Sequence, residues 1–102
     1  MTTDELIRAV KEWGREHKIF NPYRQLNKTL EELGEWSHEI CRDNLDTPEA
    51  RDACGDVLVT IIVLADICGL DPVTCLADSY RIISKRKGHT SEGMFIKDGE
   101  DS

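Results

Sequence analysis

Within the stretch "LEELGEWSHEI" (30–40), Glu31, Glu32, Glu35 and Glu39 place four carboxylates in nine consecutive positions. On a helix of 3.6 residues per turn these four share an arc of about 100°. Leu26, Leu33, Trp36 and Ile40 take the opposite side. A second acidic set, Glu49, Asp52 and Asp56, follows at i, i+3, i+7 in "PEARDACGD" (48–56). Such arcs are ordinarily solvated faces, because a like-charge i,i+4 pair costs only about 0.2–0.5 kcal/mol. The residues beyond Asp56 argue otherwise. Its face continues through Val59 or Thr60 to Val63 and Ile67, so the carboxylate stands at the edge of an apolar segment. An unpaired carboxylate in that position is costly and calls for a cation. Donor sets made only of oxygen favour Mg²⁺ or Mn²⁺.

Four helical stretches must position these acids. Apolar spacing and turn signals predict them over 3–18, 23–43, 48–68 and 72–87, with Pro22, "DNLDTPEA", Gly69 and Gly88 as the breaks. The fold class is therefore all-α, and nothing reads as a strand pair. An antiparallel hairpin of the second and third helices, turning near Leu45–Asp46, sets Glu35 level with Asp56 and Glu39 level with Asp52. Residues 57–68 are apolar almost all round, which predicts a third helix buried on every side and a partner subunit to complete the core. Residues 1–88 read as one domain. The polar, glycine-containing stretch 89–102 reads as a loose tail.

Bulk composition narrows the function. Twenty acidic against thirteen basic residues give a net charge of −7, which argues against nucleic-acid binding over a wide basic footprint. Basic residues do gather in "RIISKRKGH" (81–89), enough to contact one phosphate-bearing small molecule. The longest apolar run, "VLVTIIVLA" (57–65), is too short to span a bilayer. With no leading apolar stretch and no lipidation signal, the expectation is a soluble cytoplasmic protein without a membrane partner. Cys41, Cys54, Cys68 and Cys75 form no C-x-x-C pair and read as reduced thiols.

These residues resemble a known family. "KTLEELGEW" (28–36) is similar to the K-x-x-E-E-x-x-E segment of MazG-like all-α nucleoside triphosphate pyrophosphohydrolases. "ARDACGDVLVTIIVLADICGLD" (50–71) resembles the helix carrying their E-x-x-D motif, and "YRIISKRKGHTSEGMFIKDGE" (80–100) the basic, glycine-containing ending of short, phage-type members. The resemblance implies a four-helix MazG-like bundle whose helical-hairpin core is completed by a homodimer or a dimer of dimers. It also implies Mg²⁺-dependent hydrolysis of a nucleoside triphosphate, a dNTP by expectation, to the monophosphate and pyrophosphate.

Carried over residue by residue, the resemblance implies a metal held by Glu32, Glu35, Asp56 and Asp52, with Glu35 or Glu31 as the base. The family's second glutamate falls at Ala53, so Asp52 or Glu49 must replace it. Lys28, Arg81, Lys85 and Arg86 are candidates for the phosphates, against ordinary roles as ion-pair partners or helix C-terminal cations. Asn21 and Gln25 are candidates for base or sugar, although turn chemistry explains Asn21 as well. Trp13 and Trp36 suit either base stacking or the core. Two other classes fit parts of the pattern. One is a non-catalytic helical dimerisation or nucleotide-binding module, with α-helical acids serving solubility. The other is a di-iron carboxylate bundle built on Glu35-x-x-His38.

Overall fold

The computed structural model describes residues 1–99. Their elements are α1 (Thr3–Glu16), α2 (Pro22–Cys41), α3 (Pro48–Ile67), α4 (Pro72–Ile83), β1 (Gly88–Ser91) and β2 (Met94–Lys97). The chain divides into two units, Met1–Pro72 and the remainder from Val73.

Side-chain oxygens start the first three helices. Thr2 Oγ1 accepts from Glu5 N at 3.1 Å, Asn21 Oδ1 from Tyr23 N and Arg24 N at 3.0 and 3.1 Å, and Thr47 Oγ1 from Ala50 N at 3.1 Å. Pro22 and Pro48 open α2 and α3, where their missing N–H leaves no bond unmade. All three helices end in the same way, with one residue in the left-handed region: Lys18 (φ 56°), Asp43 (φ 62°) and Gly69 (φ 74°). That twist lets Ile19 N, Asn44 N and Leu70 N reach back to Gly14 O, Glu39 O and Ala65 O, which satisfies carbonyls the helix itself leaves open. After α2, Asn44 Nδ2 also donates to Glu39 Oε2 at 2.9 Å. Glu39 is thereby a half-buried part of the turn rather than a solvated neighbour of the acidic cluster.

Within the first unit α3 packs against both α2 and α1. Its buried stripe is Ala50, Ala53, Val57, Thr60 and Val63, small and β-branched residues that bring the helices close. Gly14 of α1 lies against Val63, and a Cβ added there would meet both Val63 methyls at 3.2 Å. At the same end Arg15 Nε and Nη2 grip Asp66 Oδ2 and Oδ1 at 2.8 and 2.6 Å, and Lys11 Nζ reaches Asp71 Oδ1 at 3.1 Å. The Arg15 guanidinium holds the Asp66 carboxyl below the usual carboxylate range.

Helix α3 is not buried on every side within the single chain. Leu58 and Ile61 are 56% and 44% exposed, so burial reaches only the faces that α1 and α2 cover. No single helix among the described residues is long and apolar enough to cross a membrane. The four cysteines are free thiols, three of them exposed and Cys54 half-buried.

The second unit differs from the sequence expectation. Helix α4 stops at Ile83 instead of continuing to Lys87, and Lys85 and Arg86 N–H groups turn back to Ile82 and Ile83 carbonyls. Residues 88–97 form an antiparallel hairpin in which Gly88 pairs with Lys97 and Ser91 with Met94. Its two-residue loop, Glu92 and Gly93, has both φ values positive (51° and 76°), the backbone twist that tight hairpins favour. Gly88 is the first residue of a strand rather than a helix stop. A Cβ there would collide with the Phe95 ring and the Ile96 carbonyl.

Candidate functional site

The acids of α2 and α3 meet at one cavity of about 260 Å³ in the first unit. Lys28, Glu32 and Asp56 line its charged end, and Gln25 and Thr60 follow along the same two helices. Trp13, Ile19 and Val59 give it an apolar wall. A neighbouring apolar cavity shares Trp13 and Val59 with it.

Glu32 is the centre of the charged end. It is only 7% exposed. Its Oε1 takes the Lys28 ammonium at 3.0 Å, while its Oε2 is buried with no hydrogen-bond partner. An orphaned carboxylate oxygen of this kind costs the fold stability unless a donor or cation fills the place. Lys28 also lies 3.7 Å from Glu31 Oε1, and its ammonium is held above the usual lysine range, chiefly by the hydrogen bond to Glu32. One cation thus serves a crowd of acids. Glu35 is pushed up mainly by the Glu32 charge beside it and then by their hydrogen-bonding contact. Burial pushes Asp56 up first, and the charges of Asp52 and Glu32 push it further. The Glu35 shift is what like charges produce when they are held together without enough counter-charge, and at Asp56 the same repulsion adds to burial.

The carboxylates fit a hard divalent cation by donor type and by the orphaned Glu32 oxygen. Among the described residues, no group of three or more His, Cys, Asp or Glu side chains stands gathered closely enough to hold a metal ion as placed. The register also differs from the expected one. Glu32, not Glu35, is the α2 carboxylate that shares the cavity with Asp56. The loop from Arg42 to Thr47 centres one residue before the middle of Leu45–Asp46, which moves the level of Asp56 about two residues toward the start of α2, next to the buried Glu32. Glu35 and Glu31 are exposed at the rim.

The other candidates divide clearly. Asp52 is exposed, and its charge reaches Asp56. Glu49 is exposed in the first turn of α3. Ala53 lies in the buried stripe at 6% exposure. Asn21 caps α2 with its side-chain oxygen, as turn chemistry predicts. Gln25 lines the cavity and is buried, with Nε2 donating to Thr60 O at 3.1 Å. Arg81 pairs with Asp78 on α4. Arg86 lines a cavity of about 520 Å³ within the second unit, beside Tyr80, Ile83, Ser84 and Phe95, and Lys85 is exposed at the end of α4. Trp13 is 46% exposed at the cavity wall and rests against His17, ring centroids 4.7 Å apart. Trp36 is half-buried. His38 is exposed and accepts from Arg42 Nη1 at 3.2 Å, a cationic neighbour that does not favour a di-iron ligand.

Sequence reasoning passed over Ile19, Val59 and Thr60 as cavity residues. Thr60 had a signal, as the lone polar residue inside "VLVTIIVLA". Ile19 had none, because it enters the cavity only through the left-handed exit from α1 at Lys18. In comparisons with known proteins, no family model, curated protein or solved structure matches the chain.

Proposed function

We propose that the chain is a MazG-like nucleoside triphosphate pyrophosphohydrolase that hydrolyses a nucleoside triphosphate, a dNTP by the family likeness, to the monophosphate and pyrophosphate with Mg²⁺ or Mn²⁺. The observation that carries this reading is the buried, orphaned Glu32 oxygen, sharing one cavity with Asp56 and Lys28. Glu32, Glu35, Asp56 and Asp52 are the residues that would hold the cation, Asp52 standing in for the family glutamate absent at Ala53. When bound, the cation would neutralise the triphosphate and acidify a water molecule.

The chain's own groups have separate tasks in that reaction. Lys28 exchanges part of its contact with Glu31 and Glu32 for a phosphate oxygen. Glu35, exposed beside Glu32, takes the proton from the attacking water, and Glu31 is the alternative base. The water oxygen forms a bond to the α-phosphorus as the bond from that phosphorus to the bridging oxygen breaks. Pyrophosphate leaves with that oxygen. The apolar wall of Trp13, Ile19 and Val59 limits water on the side of the nucleoside.

We further propose that a second copy of the chain covers the open face of α3, giving a homodimer or a dimer of dimers. Leu58 and Ile61 on α3, with Leu26, Leu30 and Leu33 on α2, leave more apolar surface open than a stable single chain of this size favours. The same surface supports a second reading, a non-catalytic helical module that uses its acids only for solubility. Incubation with NTPs and dNTPs, with and without Mg²⁺, separates the two. Metal-dependent release of monophosphate and pyrophosphate supports the hydrolase, and its absence from folded, assembled protein supports the module.

A further inference from the structure

We infer that the phosphate chain of the nucleotide lies against the bare backbone of α3 at Gly55, and that the missing side chain there is what admits it. The identity of the ligand rests on the hydrolase reading. Gly55 lies inside α3, where glycine lowers stability relative to alanine. Neither ordinary reason for a glycine applies. Its backbone is not left-handed, the glycines of positive φ being Gly69, Gly93 and Gly99. The described residues do not crowd it either, since a Cβ added there would meet nothing within 4 Å. Gly14, by contrast, is held against Val63. Gly55 is exposed, so whatever needs the room comes from outside the chain.

Neighbours on the helix surface identify the visitor. Asp52 and Val59 stand at i−3 and i+4 from Gly55, and Asp56 follows it directly. Asp56 and Val59 line the cavity that holds Glu32. The Glu32 side chain is only 10% exposed, and its Oε2 is buried without a partner. Asp52 and Asp56 bracket one turn of α3, in which Ala53 is buried and Gly55 is exposed. With the inward side filled, an anion drawn to a cation on these carboxylates has room over Gly55. Val59, one turn further on, belongs to the apolar wall that suits the nucleoside, which leaves the phosphates for Gly55. Gly34 is the other open glycine within a helix. Its neighbours at the same spacings, Leu30, Glu31, Ser37 and His38, do not line this cavity, so it serves as the control.

Titration calorimetry with Mg²⁺ compares an α,β-imido deoxynucleoside triphosphate with the corresponding monophosphate. The proteins are the full chain, Gly55→Ala, Gly55→Leu and Gly34→Leu, each also followed by thermal melting and light scattering. Pyrophosphate release from hydrolysable dNTPs is assayed on the unmodified chain. The expected Gly55→Leu protein melts no lower than the unmodified chain and keeps its mass, yet binds the triphosphate analogue about tenfold or more weakly. Gly55→Ala falls between the two, the monophosphate binds Gly55→Leu as it binds the unmodified chain, and Gly34→Leu leaves both ligands unaffected. Unchanged triphosphate binding in Gly55→Leu, or an equal loss in Gly34→Leu, overturns the inference and leaves the hydrolase standing. An equal loss of the monophosphate overturns it in favour of the nucleoside at Gly55. A fall in mass overturns it in favour of a partner chain there, and a lower melting temperature overturns it in favour of packing within the chain. A triphosphate-specific loss in Gly55→Leu without pyrophosphate release from the unmodified chain supports Gly55 and overturns the hydrolase. No binding of either ligand to the unmodified chain overturns both.

Discussion

Glu32 holds two demands in one side chain: its Oε1 is tied to Lys28, and its Oε2 is buried without a partner. Its neighbours carry the consequence, since Glu35 and Asp56 both bind protons more tightly in the folded chain than free carboxyls do. Linkage then gives a direction. A carboxyl whose pKa is raised by folding favours the folded state as pH falls through that raised value, and the benefit is lost again as pH rises. Asp66 works in the opposite sense. Its lowered pKa contributes stability above the ordinary carboxylate range that is lost as pH falls through the folded value. The metal-free protein should therefore gain melting temperature as pH falls from neutral toward the ordinary carboxylate range, before Asp66 begins to protonate. Thermal melts in chelator check this, and a Tm that falls over the same interval would contradict the reading of the cluster. Glu32→Gln and Asp56→Asn should each flatten that slope. They should also reduce the rise in Tm that Mg²⁺ gives the unmodified chain.

At the scale of the helices, the glycines of α1 and α2 separate close packing from open surface. Gly14 meets Val63, a β-branched residue whose two methyls both stand in the way. Gly14→Val should cost about 1–3 kcal/mol through overpacking between α1 and α3. Gly34 on α2 has nothing within 4 Å of an added Cβ, so Gly34→Ala should stabilise by about 0.5–1 kcal/mol through backbone entropy alone. Denaturant melts of the two variants should therefore move in opposite directions. The helices themselves were legible in the sequence because turn residues, prolines and apolar spacing agree around Pro22, Thr47 and Pro48. Their ends were less so. Lys18 and Asp43 take a left-handed conformation that glycine usually marks, and Gly88 marked a strand where a helix stop was expected. The hairpin at 88–97 was missed because Glu92–Gly93 is an unusual pair for its turn and the strands carry little apolar alternation. The two acidic helices were legible, but their relative register was not. A shift of about two residues depends on the 42–47 loop, and with it Glu32 rather than Glu35 shares the cavity with Asp56.

The whole molecule is acidic. Residues 1–72 hold fifteen acids and eight bases, while the rest of the chain has five of each, which together give the net charge of −7. The apolar faces of α2 and α3 remain open on the single chain. If a second copy covers α3, light scattering should give at least twice the chain mass, and Leu58→Glu with Ile61→Glu should return the protein to one chain. A monodisperse single chain before mutation would remove the homo-oligomer from the account. The hydrolase itself is tested most directly by an NTP and dNTP panel with Mg²⁺ or Mn²⁺, resolved for monophosphate and pyrophosphate, with Glu35→Gln measured in parallel. The expected result is metal-dependent pyrophosphate release that falls about 10²–10⁴-fold in Glu35→Gln. Folded, metal-loaded protein that turns over no member of the panel would contradict it.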